Sequence, residues 1–237
     1  MTVLSRAAED YLKAIYSLTA SAGPVTTGLL AHELGVSSPS VSAMIKRLAG
    51  EQLVERSGGR ALRLTEQGER AALRMVRRHR LLETFLAAKL GMGWDEVHAE
   101  AELLEHALSE RLEERIDAAL GHPTRDPHGD PIPPRRGPHE EAWGEPLAGV
   151  SPGCRFRVDR VSDRDSAALR YLGGLGVVPG AVLRVQEQDP FGGPLWILIN
   201  GARHPLGGPL TGLIHGQTVG AAPDSATSPT ATPQDNQ

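Results

Sequence analysis

Apolar residues recur at helical spacing through the first half of the chain and at strand spacing through much of the second. Ala8, Leu12, Ile15 and Leu18 fall three or four residues apart, which predicts a helix over 6–18, with Tyr11 and Tyr16 on its flanks. Gly23-Pro24 breaks that pattern. A second short helix is predicted from about Thr27 to Leu34, stopped by Gly35. A third starts at Ser38-Pro39 and runs to about Gly50, with Ser38 placed as N-cap and Pro39 as the first helical residue. Residues 53–65 read as two short strands around Ser57-Gly58-Gly59. A long helix follows from about Thr65 to Leu90, ended by Gly91 and Gly93, and another spans about Asp95 to Leu120.

Beyond Gly121 the pattern changes. Residues 121–149 are rich in Pro and Gly with several His, as in a linker or an extended segment packed on its neighbours. Over 153–221 short β-type runs (Phe156–Val161, Val182–Gln186, Trp196–Ile199), one short helix near Ser166–Leu172 and frequent glycines predict a small β-barrel. The tail after Ala221 has the composition of a disordered segment. No internal repeat is visible.

Composition narrows the class. No apolar run approaches the length of a membrane span, so no membrane partner is expected. The stretch Met1–Asp10 lacks the apolar core of a secretory signal. Cys154 is the single cysteine, which rules out an intrachain disulfide and fits a reducing cytoplasm. A net charge of −4 argues weakly against a nucleic-acid partner, but its distribution changes the picture. Residues 1–90 carry 13 Lys and Arg against 8 Asp and Glu, whereas residues 91–120 carry 2 against 9. A basic part followed by an acidic, His-bearing part suggests two tasks, polyanion binding and cation binding.

Helix, tight turn, helix, then strand, glycine turn and strand is the order of a winged helix-turn-helix. In the helix over 39–50, Val41, Met44, Ile45 and Leu48 share one face and should pack inward. Pro39, Ser42, Ala43 and Lys46 lie opposite, with Arg47 beside them, a small, polar and basic face suited to a major groove. Ser37, Ser38 and the helix N-terminus can donate to a phosphate. Arg60 and Arg63, around the glycine turn, could reach phosphates or the minor groove. A winged helix used for protein interaction is the other reading of the same pattern.

The helix over 95–120 carries His98, Glu102, Glu105 and His106, at steps that put all four on one face. The preceding helix adds His79 and Glu83 at i, i+4. Oxygen-rich ligation with one or two imidazoles suits Mn²⁺ or Fe²⁺ rather than a structural zinc site, although other divalent transition metals could bind in vitro. An apolar stripe on the same helix, Val97, Ala101, Leu104, Leu108 and Leu112, suits dimerisation or core packing. Two alternatives stay open on the residues alone. One is a metal-independent winged-helix regulator whose acidic helix is a solubilising surface. The other is a metalloenzyme on a helical scaffold. Di-metal oxidases need Glu-x-x-His pairs on two helices, but His106 lies at i+4 from Glu102, no second such pair exists, and no H-E-x-x-H, G-x-S-x-G or P-loop motif is present.

These stretches together resemble the diphtheria toxin repressor family of metal-dependent transcriptional regulators, and especially its manganese transport regulator branch. The resemblance rests on Glu9-Asp-Tyr-Leu-Lys-Ala-Ile-Tyr16, Ser37-Ser-Pro-Ser-Val-Ser42, His79-Arg-Leu-Leu-Glu83, Glu102-Leu-Leu-Glu-His106 and Pro127-His-Gly-Asp-Pro-Ile-Pro133. Leu172-Gly-Gly-Leu-Gly-Val-Val-Pro-Gly180 is similar to the SH3-like, ferrous-transport-A-type domain that ends many members. The resemblance implies a mainly α chain with a small β part. Its domains would be a DNA-binding domain over 1–72, a helical dimerisation and metal domain with the Pro-rich segment over 73–140, an SH3-like domain over 150–221, and a tail over 222–237.

It also implies a homodimer, a repressor of metal-uptake genes that binds a palindromic double-stranded operator when loaded. Two metal sites per chain are implied. The primary one takes Asp10, Glu102, Glu105 and His106. Members tuned to iron tend to have Met and Cys where this chain has Asp10 and Glu102, so the resemblance points to manganese first and iron second. For the second site some members use the equivalents of His79, Glu83 and His98 with polar residues of the last domain. Others use the Glu83 equivalent with a Cys and a His from the Pro-rich segment and an Asp from the last domain. Here Asp126, His128 and Asp163 stand at those places, with Asp165 an alternative to Asp163. Lys13 stands where some manganese regulators have Glu, which argues against a closely spaced pair of ions.

Overall fold

The computed structural model describes residues 4–57, 59, 61–141 and 143–221. Arg60 and the tail over 222–237 lie outside the described residues. Two compact units are present: Met1–Trp143 with Ser162–Tyr171, and Gly144–Val161 with the chain from Leu172 onward.

The first unit opens with three helices, α1 (Arg6–Ala22), α2 (Thr27–Leu34) and α3 (Ser38–Gly50). Each begins at a hydroxyl that accepts from a backbone amide in the first turn: Ser5 from Ala8, Thr26 from Leu29, Ser37 from Ser40. The cap of α3 is therefore Ser37, one residue before the expected Ser38. Ser37 keeps an extended backbone (φ −71°, ψ 147°) that lets its hydroxyl reach forward. Strands β1 (Val54–Ser57) and β2 (Ala61–Leu64) pair antiparallel as the hairpin that follows. Val41, Ile45 and Leu48 of α3 are buried against Leu12, Ile15 and Leu18 of α1 and Leu30 of α2, with Met44 half-buried at the edge.

The 25-residue helix α4 (Glu66–Leu90) serves two cores. Its first turns bury Ala71 and Ala72 in the three-helix core. Further along, Leu81 and Leu82 pack with Ala101, Leu108, Ile116 and Ile132. The single helix expected over 95–120 is three pieces: α5 (Val97–Leu104), a 3₁₀ turn (Glu105–Ala107) and α6 (Glu110–Ala119). The reason is local. Leu108 leaves the helical region (φ −71°, ψ 113°) to bury its side chain, and Ser109 caps a new helix by accepting from Leu112 N at 3.2 Å. The apolar stripe divides accordingly: Val97, Ala101 and Leu108 are buried, but Leu104 and Leu112 are 42 % and 51 % exposed.

The second unit is built on an antiparallel sheet of order β3-β8-β4-β5-β6-β7. Its strands are β3 (Glu145–Pro146), β4 (Cys154–Val161), β5 (Val182–Gln188), β6 (Leu195–Ile199), β7 (Ala202–Leu206) and β8 (Ile214–Ala221); helices α7 (Ser166–Leu175) and α8 (Gly208–Thr211) lie between them in sequence. Phe156, Val158, Leu183, Val185, Ile197, Ile199 and Ile214 form its buried face. The three expected strands fall within β4, β5 and β6. β7 and β8 carry poor strand signals because Pro205 sits on an edge strand and Gly216 and Gly220 interrupt the last one. Gly216 is required where it stands, since a Cβ there would collide with the Arg157 carbonyl of β4.

Candidate metal centre

Helices α4 and α5 bring two histidines and a glutamate together. His79 and Glu83 are one turn apart on α4, and His79 Nε2 lies 2.9 Å from Glu83 Oε1. His98, in the first turn of α5, places Nδ1 3.2 Å from the same oxygen and 2.9 Å from Asp163 Oδ2. Asp163 arrives from the connector before α7 and belongs to the first unit. One ligand atom from each of His79, Glu83, His98 and Asp163 falls within 4.8 Å of the others.

Glu83 also faces the Pro-rich segment, where Glu83, Asp126 and His128 form a second group within the same limit. That segment is packed, not a free linker. Asp126 Oδ1 accepts from the amides of His128 and Asp130, each at 2.9 Å, and Arg77 and Arg80 donate to the carbonyls of Pro133 and Pro131. His128 stacks on Trp94 and bonds its carbonyl through Nε2 at 2.6 Å. Its other nitrogen, Nδ1, is buried without a hydrogen-bond partner among the described residues, as is Glu83 Oε2. These two atoms are 3.8 Å apart, beyond hydrogen-bonding reach. Buried polar atoms are rarely left so, and two such atoms in one group with Asp126 are a donor set that suits a divalent cation.

A third group joins α1 to the 3₁₀ turn. Ligand atoms of Asp10, Glu105 and His106 converge within 4.8 Å. His106 Nε2 lies 2.8 Å from Asp10 Oδ1, while its Nδ1 is held by Glu9 Oε2 at 2.8 Å, which fixes the ring. Glu102 does not join this group. It clusters instead with His79 and Glu105, and Lys13 Nζ bridges it to Glu105 at 2.5 and 2.7 Å. The four residues expected on one helix face are thus shared between groups, because the helix ends at Glu105. His79 links them: Nδ1 is 2.7 Å from Glu105 Oε2 and Nε2 is on Glu83.

Within these groups the carboxylates and the imidazoles hold each other charged, with Lys13 adding a further positive charge. Burial works against charge on His79, but Glu83 and Glu105 outweigh it and push the imidazole up to about 9. Burial is likewise overcome at His98 by Asp163 and Glu83, to about 10, and at His128 by Glu83, to about 9. Burial would raise Glu105, yet His79 and Lys13 hold it low. Burial and the Glu83 and Asp130 carboxylates push Asp126 well up. Asp10 is raised by burial. Hard oxygens with imidazoles are the donor set of Mn²⁺ or Fe²⁺.

On the DNA-binding side, Ser37, Ser38, Pro39, Ser42, Ala43, Lys46 and Arg47 are all exposed on and just before α3. Ser37 shares a hydrogen bond with Ser40, and Arg47 bonds Ser5 Oγ at 2.9 Å. Arg63 is exposed on β2. Asp165 caps α7 by accepting from Ala167 N and Ala168 N and joins none of the ligand groups. Three participants were not singled out from sequence as supports: Glu9 behind His106, Lys13 as internal counter-ion, and Arg80, whose guanidinium faces Asp126, Asp130 and Glu141. Lys13 and Arg80 each stand one turn or one residue from a ligand, but their direction is visible only in three dimensions.

The N-terminal DNA-binding domain of iron-dependent repressors matches residues 3–62, their metal-binding and dimerisation domain residues 65–134, and the FeoA domain residues 145–217. The iron-dependent repressor IdeR of Mycobacterium tuberculosis is 35% identical over 217 residues, covering 85% of this chain and 92% of its own. The diphtheria toxin repressor of Corynebacterium diphtheriae is 34% identical over 125 residues, 53% of this chain and 55% of its own. Among solved structures, a manganese-dependent transcriptional repressor in complex with manganese superposes with a TM-score of 0.83 at 45% identity, covering 90% of this chain and 100% of that one. The cadmium-bound form of ScaR superposes with a TM-score of 0.79 at 31% identity, covering 90% and 99%.

Proposed function

The chain belongs to the iron-dependent repressor family of metal-dependent transcriptional repressors, which are regulators and not enzymes, and on that premise we propose that Mn²⁺ is its principal activating ion and that a palindromic operator of metal-uptake genes is its target. We assign Asp10, Glu105 and His106, with Glu102 beside them, to a first centre. Glu83, Asp126 and His128, with His79, His98 and Asp163 around them, form a second. The orphaned Glu83 Oε2 and His128 Nδ1 carry this reading. Fe²⁺ is the second reading, favoured by the likeness to iron-dependent repressors. The described residues contain no helix long and apolar enough to cross a membrane.

When bound, a divalent ion supplies the positive charge that lets these crowded carboxylates share one site. The chain's own residues convert that into a response. Asp10 sits on α1, which shares its core with α2 and α3, so a restraint on Asp10 is passed to the recognition helix through close packing. Glu105 and His106 sit on the turn between α5 and α6, in the core built on α4. Joining these residues fixes α3 relative to the helical domain. In a dimer that sets the separation of two recognition helices, which must match half-sites one or more helical turns apart. We assign residues 1–72, 73–140 and 150–221 to the DNA-binding, helical and SH3-like domains.

The test is a titration of Mn²⁺ against a labelled operator duplex. DNA affinity should rise about 5- to 150-fold on loading, the usual range of such coupling. Asp10→Ala should lose most of that rise. Equal affinity with Mn²⁺ and with chelator would overturn the proposal, and a rise with Fe²⁺ alone would transfer it to iron.

A further inference from the structure

The connector between β4 and α7 touches the second centre and the helix-turn-helix with neighbouring residues. Asp163 Oδ2 is 2.9 Å from His98 Nδ1. The next residue, Arg164, reaches the other way, and its Nη2 lies 3.1 Å from Glu33 Oε1. Glu33 is the penultimate residue of α2, just before the Gly35 turn that leads into α3. Downstream, Arg170 Nη1 is 3.0 Å from Asp95 Oδ2 in the turn before α5. Asp165 stiffens the same segment by capping α7 with two backbone hydrogen bonds. Residues 162–171 therefore form a short strap tied at Asp95, at His98 and at Glu33, all within the first unit.

We propose that Arg164 is a positioning residue for DNA binding, carrying the state of the second metal centre to α2 through its ion pair with Glu33. The proposal rests on the reading of Asp163 and its neighbours as that centre. Consecutive Cα atoms are about 3.8 Å apart, so whatever holds Asp163 also holds the backbone of Arg164. With Asp163 held, the guanidinium is kept beside Glu33 and α2 is restrained at the end that leads to the recognition helix. With Asp163 released, the pair must form from a mobile partner and weakens. Arg164 is 52 % exposed and Glu33 28 %. An ion pair this open shifts an equilibrium by at most about fivefold, so the strap tunes the response that the first centre sets.

The experiment uses the full chain, Mn²⁺ and a duplex selected from random DNA by the Mn²⁺-loaded protein. Two quantities are read for each variant: the Mn²⁺ count by calorimetry, and the ratio of DNA affinity in Mn²⁺ to that in chelator. Taking the ratio removes any effect of an altered charge that simply attracts or repels DNA. Asp163→Asn should lower the Mn²⁺ count; an unchanged count sinks the second-centre reading and the proposal with it. Arg164→Glu should keep the count and lower the ratio about 3- to 10-fold, since a dimer has two such pairs. The exchanged pair Arg164→Glu with Glu33→Arg should return the ratio to within about twofold of the parent. If Arg164→Glu leaves both quantities unchanged, the second centre stands and the strap is overturned. A ratio that the exchanged pair fails to restore, or a lost Mn²⁺ count in Arg164→Glu, overturns the strap as well.

Discussion

His79 is the residue at which the two proposed centres meet, with one ring nitrogen on Glu105 and the other on Glu83. Such a ring satisfies both carboxylates only while protonated, whereas His98 turns one nitrogen, Nδ1, to both Asp163 and Glu83, whose charges favour the imidazolium. The metal-free protein therefore depends on protons. An unfolded histidine titrates near 6.5, whereas His79 and His128 are raised to about 9 and His98 to about 10. A raised folded-state value means stability that is complete below about pH 6.5 and is lost as pH climbs through 9 to 10. In chelator, the melting temperature should fall by about 5 °C between pH 6.5 and 9.5. Mn²⁺ affinity should rise over the same interval, because ligation needs neutral imidazoles. A melting temperature that is flat or rising with pH in chelator would contradict the assignment of these three rings.

At the scale of elements, α4 is the member on which the proposed centres depend. It carries His79 and Glu83, packs against the helix-turn-helix at one end and supports α5 at the other. Its entry is set by Thr65, whose hydroxyl bonds Gln52 O and caps Gly68 N. Gly68 lets the first turn lie directly on the Leu53 backbone, and a Cβ at that position would strike the Leu53 carbonyl. Gly68→Ala should cost about 1–3 kcal/mol, read in urea unfolding of the metal-free chain. A cost near zero would show that α4 can shift to make room. The break between α5 and α6 matters equally. Only because the helix stops at Glu105 can Glu105 and His106 face α1 while His98 faces Glu83.

For the whole molecule, the exposed leucines of α5 and α6 are the surface feature that bears on assembly. Leu103, Leu104 and Leu112 lie on the domain whose relatives are described as dimerisation modules, and their faces are not used by the core beneath. Large apolar side chains left exposed on such a domain suit an interface. Leu104→Asp with Leu112→Asp should leave the fold and metal count intact and convert the dimer to monomers in sedimentation velocity. DNA affinity should then fall by at least about tenfold, since two half-sites would no longer be bound as one. A double variant that still sediments as a dimer would place the interface elsewhere.

Much of this was legible in the residues. Periodicity and capping hydroxyls located α1 to α4 to within a few residues, because amphipathic spacing and turn chemistry are local properties of the chain. The candidate ligands were legible for the same reason, since His79/Glu83 and Glu102/Glu105/His106 are short spacings on helices. Their division into groups was not, because it depends on where Leu108 finds a buried place and so where the helix must end. Lys13 between two carboxylates, Glu9 behind His106, and Asp163 and Arg164 on opposite sides of one connector come from positions far apart in sequence. Charge acts through distance in space, and only the packing of α1, α4, α5 and the connector set those distances.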